Sequence, residues 1–177
     1  MIKPNMATML AYIACDATVS EEVLQRSVVE IANASFNRIT VDGDTSTNDC
    51  FMLCASGASE LSPIVSVEDP RLLYLEDTIA SVAKTLAQSI VRDGEGATKF
   101  VTVTVSGGAS RTECLEVGYT VAESPLVKTA LFAGDANWGR FCMAIGRAQI
   151  ESLDAAGVSL YLDEVEVAHR GLSLIHI

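Results

Sequence analysis

Basic residues are scarce in this 177-residue chain: 12 Lys and Arg stand against 23 Asp and Glu, for a net charge of −11. Such an acidic chain repels phosphate backbones, which argues against a nucleic-acid partner. Aromatics are few, with one Trp, four Tyr and five Phe, so a base-stacking platform lacks material. Histidine is limited to His169 and His176, and Cys15, Cys50, Cys54, Cys114 and Cys142 form no Cys-x-x-Cys pair. A structural zinc site therefore lacks its usual ligand spacing, and no metal is expected. The thiols read as reduced, buried cysteines of a cytosolic protein. No apolar run approaches the length of a membrane span. The start carries Lys3 but neither the apolar core nor the cleavage pattern of a signal peptide. What the chain does have is apolar material, 49% of its residues, enough for one domain with a sizeable core.

The pattern alternates short apolar runs with helical periodicity. Thr8 to Cys15 and Cys50 to Ala55 read as buried strands. Between them, Ser20, Glu21 and Glu22 start a helix running to Ala34, with Leu24, Val28, Ile31 and Ser35 along one face. Arg38 to Asp49 is polar and rich in Gly, Asp and Asn, a loop. Leu72, Leu75, Ile79, Val82, Leu86 and Ile90 predict a long helix over Pro70 to Arg92, ended at Gly94. Lys99 to Ser106 alternates Phe100, Thr102 and Thr104 against Val101, Val103 and Val105, which predicts a strand. Helices follow over Arg111 to Ala122, from Ser124-Pro125, and over Trp138 to Ala148, with a turn at Gly134 to Gly139. Val158 to Leu162 and Val165 to Ala168 are strands around an Asp163-Glu164 turn. The balance is α/β or α+β, with apolar strands covered by helices.

The opening residues hold the chemistry of interest. A polar, Pro-containing loop, Met1 to Ala7, runs straight into a strand that begins with Thr8. Thr8 is first of all an ordinary β-branched strand residue. A threonine hydroxyl beside a small residue can also attack the preceding carbonyl when a turn strains that peptide. Hydrolysis of the resulting ester would leave Thr8 as a new N-terminus. Its α-amine, with an ordinary pKa of about 7.7–8.0, is partly neutral at pH 7 and can serve as base for the same residue's hydroxyl. Glu95, between two glycines, is a loop acid whose charge suits a substrate ammonium group. The Asp42 to Asp49 cluster lacks regular cation-ligand spacing and fits side-chain capping of a loop.

Asn5-Met6-Ala7-Thr8-Met9-Leu10 resembles the self-cleavage site of the ornithine acetyltransferase (glutamate N-acetyltransferase) family of arginine biosynthesis. Three further segments resemble it in order and spacing: Ser35 to Asp49, Asp93 to Lys99, and Gly134 to Arg140. The similarity covers nearly all of Met1 to Ala168. It implies a layered α-β-β-α sandwich and a precursor that cuts itself between Ala7 and Thr8. The two resulting chains would stay together as an α2β2 heterotetramer. By the same resemblance Thr8 is nucleophile and acyl carrier, taking acetyl from N-acetylornithine and passing it to glutamate. Some members of the family also use acetyl-CoA as donor. Thr8 and Glu95 would contact substrate, no cofactor is implied, and the setting is the cytoplasm. Gly134 to Arg140 reads as structural, with Ala136 where the family usually has proline.

The departures are equally specific. The family's preceding chain carries a Thr-Gly pair resembling an oxyanion hole and a substrate-binding lysine, and its β chain continues further with substrate-binding residues. None of these lies here. Residues 1–7 are thus expected to be the end of an α chain, and 8–171 a C-terminally truncated acyltransferase domain. Residues 172–177, Leu-Ser-Leu-Ile-His-Ile, resemble a translated library adapter and would be a non-native tail. The isolated polypeptide is expected to be inactive without the oxyanion donors. The alternatives are a self-processing aminopeptidase with the same N-terminal nucleophile, and a non-catalytic fragment.

Overall fold

The computed structural model describes residues 9–44, 48–151 and 153–174. Two compact units divide the chain, Met1–Ala97 and Thr98–Ile177. Helices and strands are mixed in an α+β arrangement, as the sequence predicts.

In the first unit, β1 (Leu10–Cys15) and β2 (Cys50–Ala55) pair in parallel, in register from Leu10↔Cys50 to Cys15↔Ala55. Parallel strands need a crossover, and α1 (Glu21–Ala34) followed by a 3-10 turn at Phe36–Arg38 supplies it. Ala11 and Ile13 from β1 join Ile31, Phe36, Ile39, Ile79, Ala83 and Ala87 in one apolar core, with Phe51 and Leu53 packed against it. Phe36 and Phe51 meet with ring centroids 4.9 Å apart and planes tilted by 50°. The long helix α2 (Pro70–Arg92) has the predicted bounds. Asp69 caps it by accepting the Arg71 N–H at 2.9 Å, and Pro70 occupies the first turn. The Arg71 side chain closes on the same carboxylate and donates to the Ser62 carbonyl at 2.9 Å. These hydrogen bonds, the side-chain one foremost, hold the Asp69 carboxyl down at about 2.

Helix faces are rotated from the periodicity reading. On α1 the buried side is Val23, Ser27 and Ile31, rather than Leu24 and Val28. Ser27 Oγ lies 2.6 Å from Glu76 Oε1 of α2, so a polar contact holds this orientation. On α2 the buried small residues are Ala83 and Ala87, while Val82 and Leu86 are exposed. Alanines let helix and neighbours approach closely, an advantage that hydrophobicity alone does not encode. The strands also differ from the expectation of full burial. Only one face of the β1–β2 pair is packed: Leu10 and Tyr12 are 65% and 59% exposed, and Met52 points out with them.

The second unit contains α3 (Arg111–Ala122), α4 (Pro125–Ala133) and α5 (Trp138–Gly146). Ser110 accepts the Glu113 N–H at 3.2 Å while Glu113 Oε2 accepts the Ala109 N–H at 2.9 Å, a reciprocal cap. Buried Ser124 caps α4, and Gly134 ends it in the left-handed region at φ 69°. Val121, Val127, Phe141 and Ala144 form the core, with Leu160 and Leu162 packed against it. β3 (Leu160–Leu162), β4 (Val165–His169) and β5 (Leu172–Ser173) form an antiparallel meander. The first turn is Asp163-Glu164, as predicted, with Asp163 at φ 50°. The second, Arg170-Gly171, has positive φ at both residues, which suits a two-residue hairpin. Leu172 and Ser173, expected to lie in a foreign tail, thus pair with His169 and Ala168.

The predicted strand Lys99–Ser106 is absent as such: the segment joins no ladder among the described residues. Val101 and Val103 are exposed. Alternation marks a segment suited to a half-buried ladder, but a strand also needs a partner for its backbone groups. Lys99 is held instead by a side-chain hydrogen bond to the Phe132 carbonyl at 2.9 Å.

Candidate active site

Ala7 and Thr8 lie outside the described residues. Their covalent neighbour is well placed. Met9 is buried at 6% exposure, and its carbonyl accepts the Cys50 N–H at 2.7 Å. The ladder therefore extends past the first residue of β1, and the residue that follows Thr8 is fixed by both packing and hydrogen bonding. The loop from Thr40 returns the chain to the head of β2. Asp42 Oδ1 accepts the Asp44 N–H at 3.0 Å, and Gly43 takes φ 83° between them. This is the side-chain capping that the composition predicts for the cluster.

The loop ends on an acid whose burial the sequence reading did not foresee. Asp49 is only 8% exposed, and its Oδ1 is shut off from solvent. It directly precedes Cys50, beside Met9 in the parallel register. A carboxylate is seldom so buried without a specific purpose. The available signal was an acid immediately ahead of an apolar strand run, which the surrounding polar loop obscured.

Glu95 occupies the turn after α2. The Gly94 N–H donates to the Val91 carbonyl at 3.2 Å and the Ala97 N–H to the Gly94 carbonyl at 2.9 Å. Gly96 sits at φ 67°, a conformation that favours glycine. Glu95 itself is exposed, at the tip of a turn built by local backbone bonds. The fold thus brings Asp49 to Met9, while Glu95 is presented separately. In the Gly134 to Arg140 segment, Arg140 Nη1 donates to the Leu126 carbonyl at 3.1 Å and lies 2.8 Å from Thr129 Oγ1. Asn137 Nδ2 donates to Asp135 Oδ2 at 3.1 Å. The Arg140 contacts fasten α5 to α4 and the Asn137–Asp135 bond braces the turn between them, a structural task.

One other cluster has the residue types of a hydrolytic site. On the β3–β4 hairpin, His169 Nδ1 lies 2.8 Å from Glu166 Oε1 and 3.4 Å from Ser159 Oγ. Both partners approach the same ring nitrogen, so the imidazole cannot relay a proton between them. The pair holds the Glu166 carboxyl below its usual range. Among the described residues, no group of three His, Cys, Asp or Glu side chains could hold a metal ion.

The fold is that of a solved protein of known class. It superposes on the crystal structure of the arginine biosynthesis bifunctional protein ArgJ from Bacillus halodurans with a TM-score of 0.89 and 37% identity, over 95% of this chain and 78% of that one. The ArgJ family profile matches residues 1–176. The chain belongs to the ArgJ family. It is 58% identical over 171 residues to the arginine biosynthesis bifunctional protein ArgJ of Pseudomonas fluorescens, and 57% identical over the same length to that of Psychrobacter arcticus. Each match takes in 97% of this chain and 42% of the relative, so the chain spans less than half the length of these relatives.

Proposed function

We propose that the protein carrying this chain is an acetyltransferase that moves acetyl from N-acetylornithine to glutamate through an ester on Thr8. The observation that carries this reading is the family match over residues 1–176, which takes in Ala7-Thr8 and the Gly94-Glu95-Gly96 turn. In the precursor, Thr8 Oγ attacks the Ala7 carbonyl and displaces the Thr8 nitrogen, which leaves as a free amine carrying the hydroxyl proton; water then cleaves the ester, restoring the Thr8 hydroxyl and leaving Ala7 with a carboxylate. In the cleaved protein that amine accepts the hydroxyl proton as Oγ attacks the acetyl carbonyl, and returns it to the departing ornithine nitrogen. Glutamate's amine then takes the acetyl group by the reverse sequence. Glu95 binds the substrate's ammonium group. The relatives are called bifunctional, and on this reading the second activity uses acetyl-CoA as donor. The assembly is a cytoplasmic α2β2 heterotetramer built from the two cleaved chains, with residues 1–7 ending the α chain and 8–171 belonging to the β chain.

The test is intact mass and acetyl transfer on the full-length protein and on Thr8→Ala. The variant should remain one chain and transfer no acetyl group. Two chains in the variant, or retained transfer, would remove Thr8 from the role. Release of acetyl to water without transfer to glutamate would favour the hydrolase reading instead.

A further inference from the structure

We propose that the outer edge of β2 and the adjoining side of α1 form a docking groove for a third β-strand, supplied by the part of the same protein that lies outside this chain. The inference concerns the fold and is independent of the chemistry assigned to Thr8.

The ladder identifies the edge. The Cys50 N–H donates to the Met9 carbonyl at 2.7 Å, and the Ser56 N–H donates to the Cys15 carbonyl at 2.9 Å. In a parallel pair, alternate residues of a strand turn their backbone groups toward the same neighbour. Cys50, Met52 and Cys54 therefore face β1, while Phe51 and Leu53 turn their N–H and C=O groups the other way. β2 has no second ladder partner among the described residues. Four main-chain groups thus stand in a row along this edge, at the spacing a strand requires.

The side chains beside the edge are apolar. A groove of about 340 Å³ opens there, lined by Phe51 to Cys54 of β2 and by Leu24 and Val28 of α1. Periodicity assigned Leu24 and Val28 to a buried face, and the fold leaves them half-buried. An occupant of the groove would complete their burial. Phe51 to Cys54 spans about 13 Å, which suits a short extended segment. Its main chain would bond to Phe51 and Leu53, and its alternate side chains, apolar, would lie on Leu24 and Val28. A small apolar molecule would leave the row of donors and acceptors unmatched.

The source of the strand follows from length and charge. The chain accounts for 42% of the length of its ArgJ relatives, so more than half of such a protein is available to fill the groove. Two parallel strands alone make a marginal sheet, and a third within the same protein docks at high effective concentration. A second copy of this chain would instead approach against a net charge of −11 on each partner.

Amide hydrogen exchange on the full-length protein tests the edge. With a strand docked, the Phe51 and Leu53 amides should exchange within about tenfold of the Met52 and Cys54 amides, which face β1. A larger difference, with Phe51 and Leu53 the faster, overturns the proposal. The photo-cross-linker p-benzoylphenylalanine, placed at exposed Gln25 on the groove's rim, identifies the occupant. The expected product joins Gln25's position to a segment of the same precursor outside residues 1–177. Products confined to residues 1–177, whether within one copy, including the Lys99–Ser106 segment, or between two copies, overturn the assignment. So do a product with an unrelated protein and the absence of any product.

Discussion

Replacing Phe36 by alanine should be among the most destabilising single changes in the first unit. Phe36 is 1% exposed, lies in the core between the strands and their two helices, and faces Phe51 at 4.9 Å. Truncating a buried Phe to Ala costs about 3–5 kcal/mol through lost transfer energy and the cavity left behind. Loss of a tilted aromatic pair belongs at the upper end of that range, since such pairs add about 0.5–1.5 kcal/mol beyond burial. A loss of about 4 kcal/mol, with a urea slope of about 2 kcal/mol/M, moves the unfolding midpoint down by about 2 M. Urea titration followed by far-UV circular dichroism measures this. Tyr74→Ala, at a side chain 78% exposed on α2, is the control and should stay within about 0.5 kcal/mol of the parent. Equal shifts for the two variants would refute the assignment of Phe36 to the core, and with it the packing that fixes the head of β1.

Two further outcomes follow from the caps and turns. The Asp69 carboxyl is depressed from its ordinary 3.8 to about 2 by its hydrogen bonds with Arg71. A carboxyl lowered by folding stabilises the fold above its unfolded value, and that contribution fades as pH falls from 3.8 toward about 2. Asp69→Asn should flatten this part of the acid limb in melting temperature against pH; an unchanged limb would show that the pair contributes nothing. Glu95→Ala should leave melting temperature and self-cleavage unaltered, because the side chain is exposed. It should lower kcat/KM for N-acetylornithine by about 10- to 100-fold, the worth of one charge-assisted hydrogen bond, and parental kinetics would reduce Glu95 to a surface acid.

Much of the fold is legible in the sequence because local signals there are unopposed. The bounds of α2 come from Asp69-Pro70 at one end and Asp93-Gly94 at the other, and those of α3 from Ser110 and Glu113. Cys50–Ala55 is legible as a single apolar run. What failed depends on tertiary partners. Val101, Val103 and Val105 alternate as a strand does, yet the ladder that would make them one is not among the described residues. The buried faces of α1 and α2 turn on the Ser27–Glu76 contact and on the close approach allowed by Ala83 and Ala87. At the candidate site, Thr8 and Glu95 were legible only as residues within recognisable motifs. Asp49 looked like one more polar loop residue, and only the parallel register reveals that it stands beside Met9.

The outward row of Leu10, Tyr12 and Met52 has a colloidal consequence. Two copies of the chain can meet through these side chains at short range, while a net charge of −11 keeps them apart at longer range. At physiological ionic strength that repulsion decays over about 8 Å, little more than the thickness of a side-chain layer. The barrier is therefore thin and made almost wholly of carboxylates. It shrinks as salt rises, and it vanishes near the isoelectric point of about 4.5, where mutual attraction between the oily strips acts without opposition.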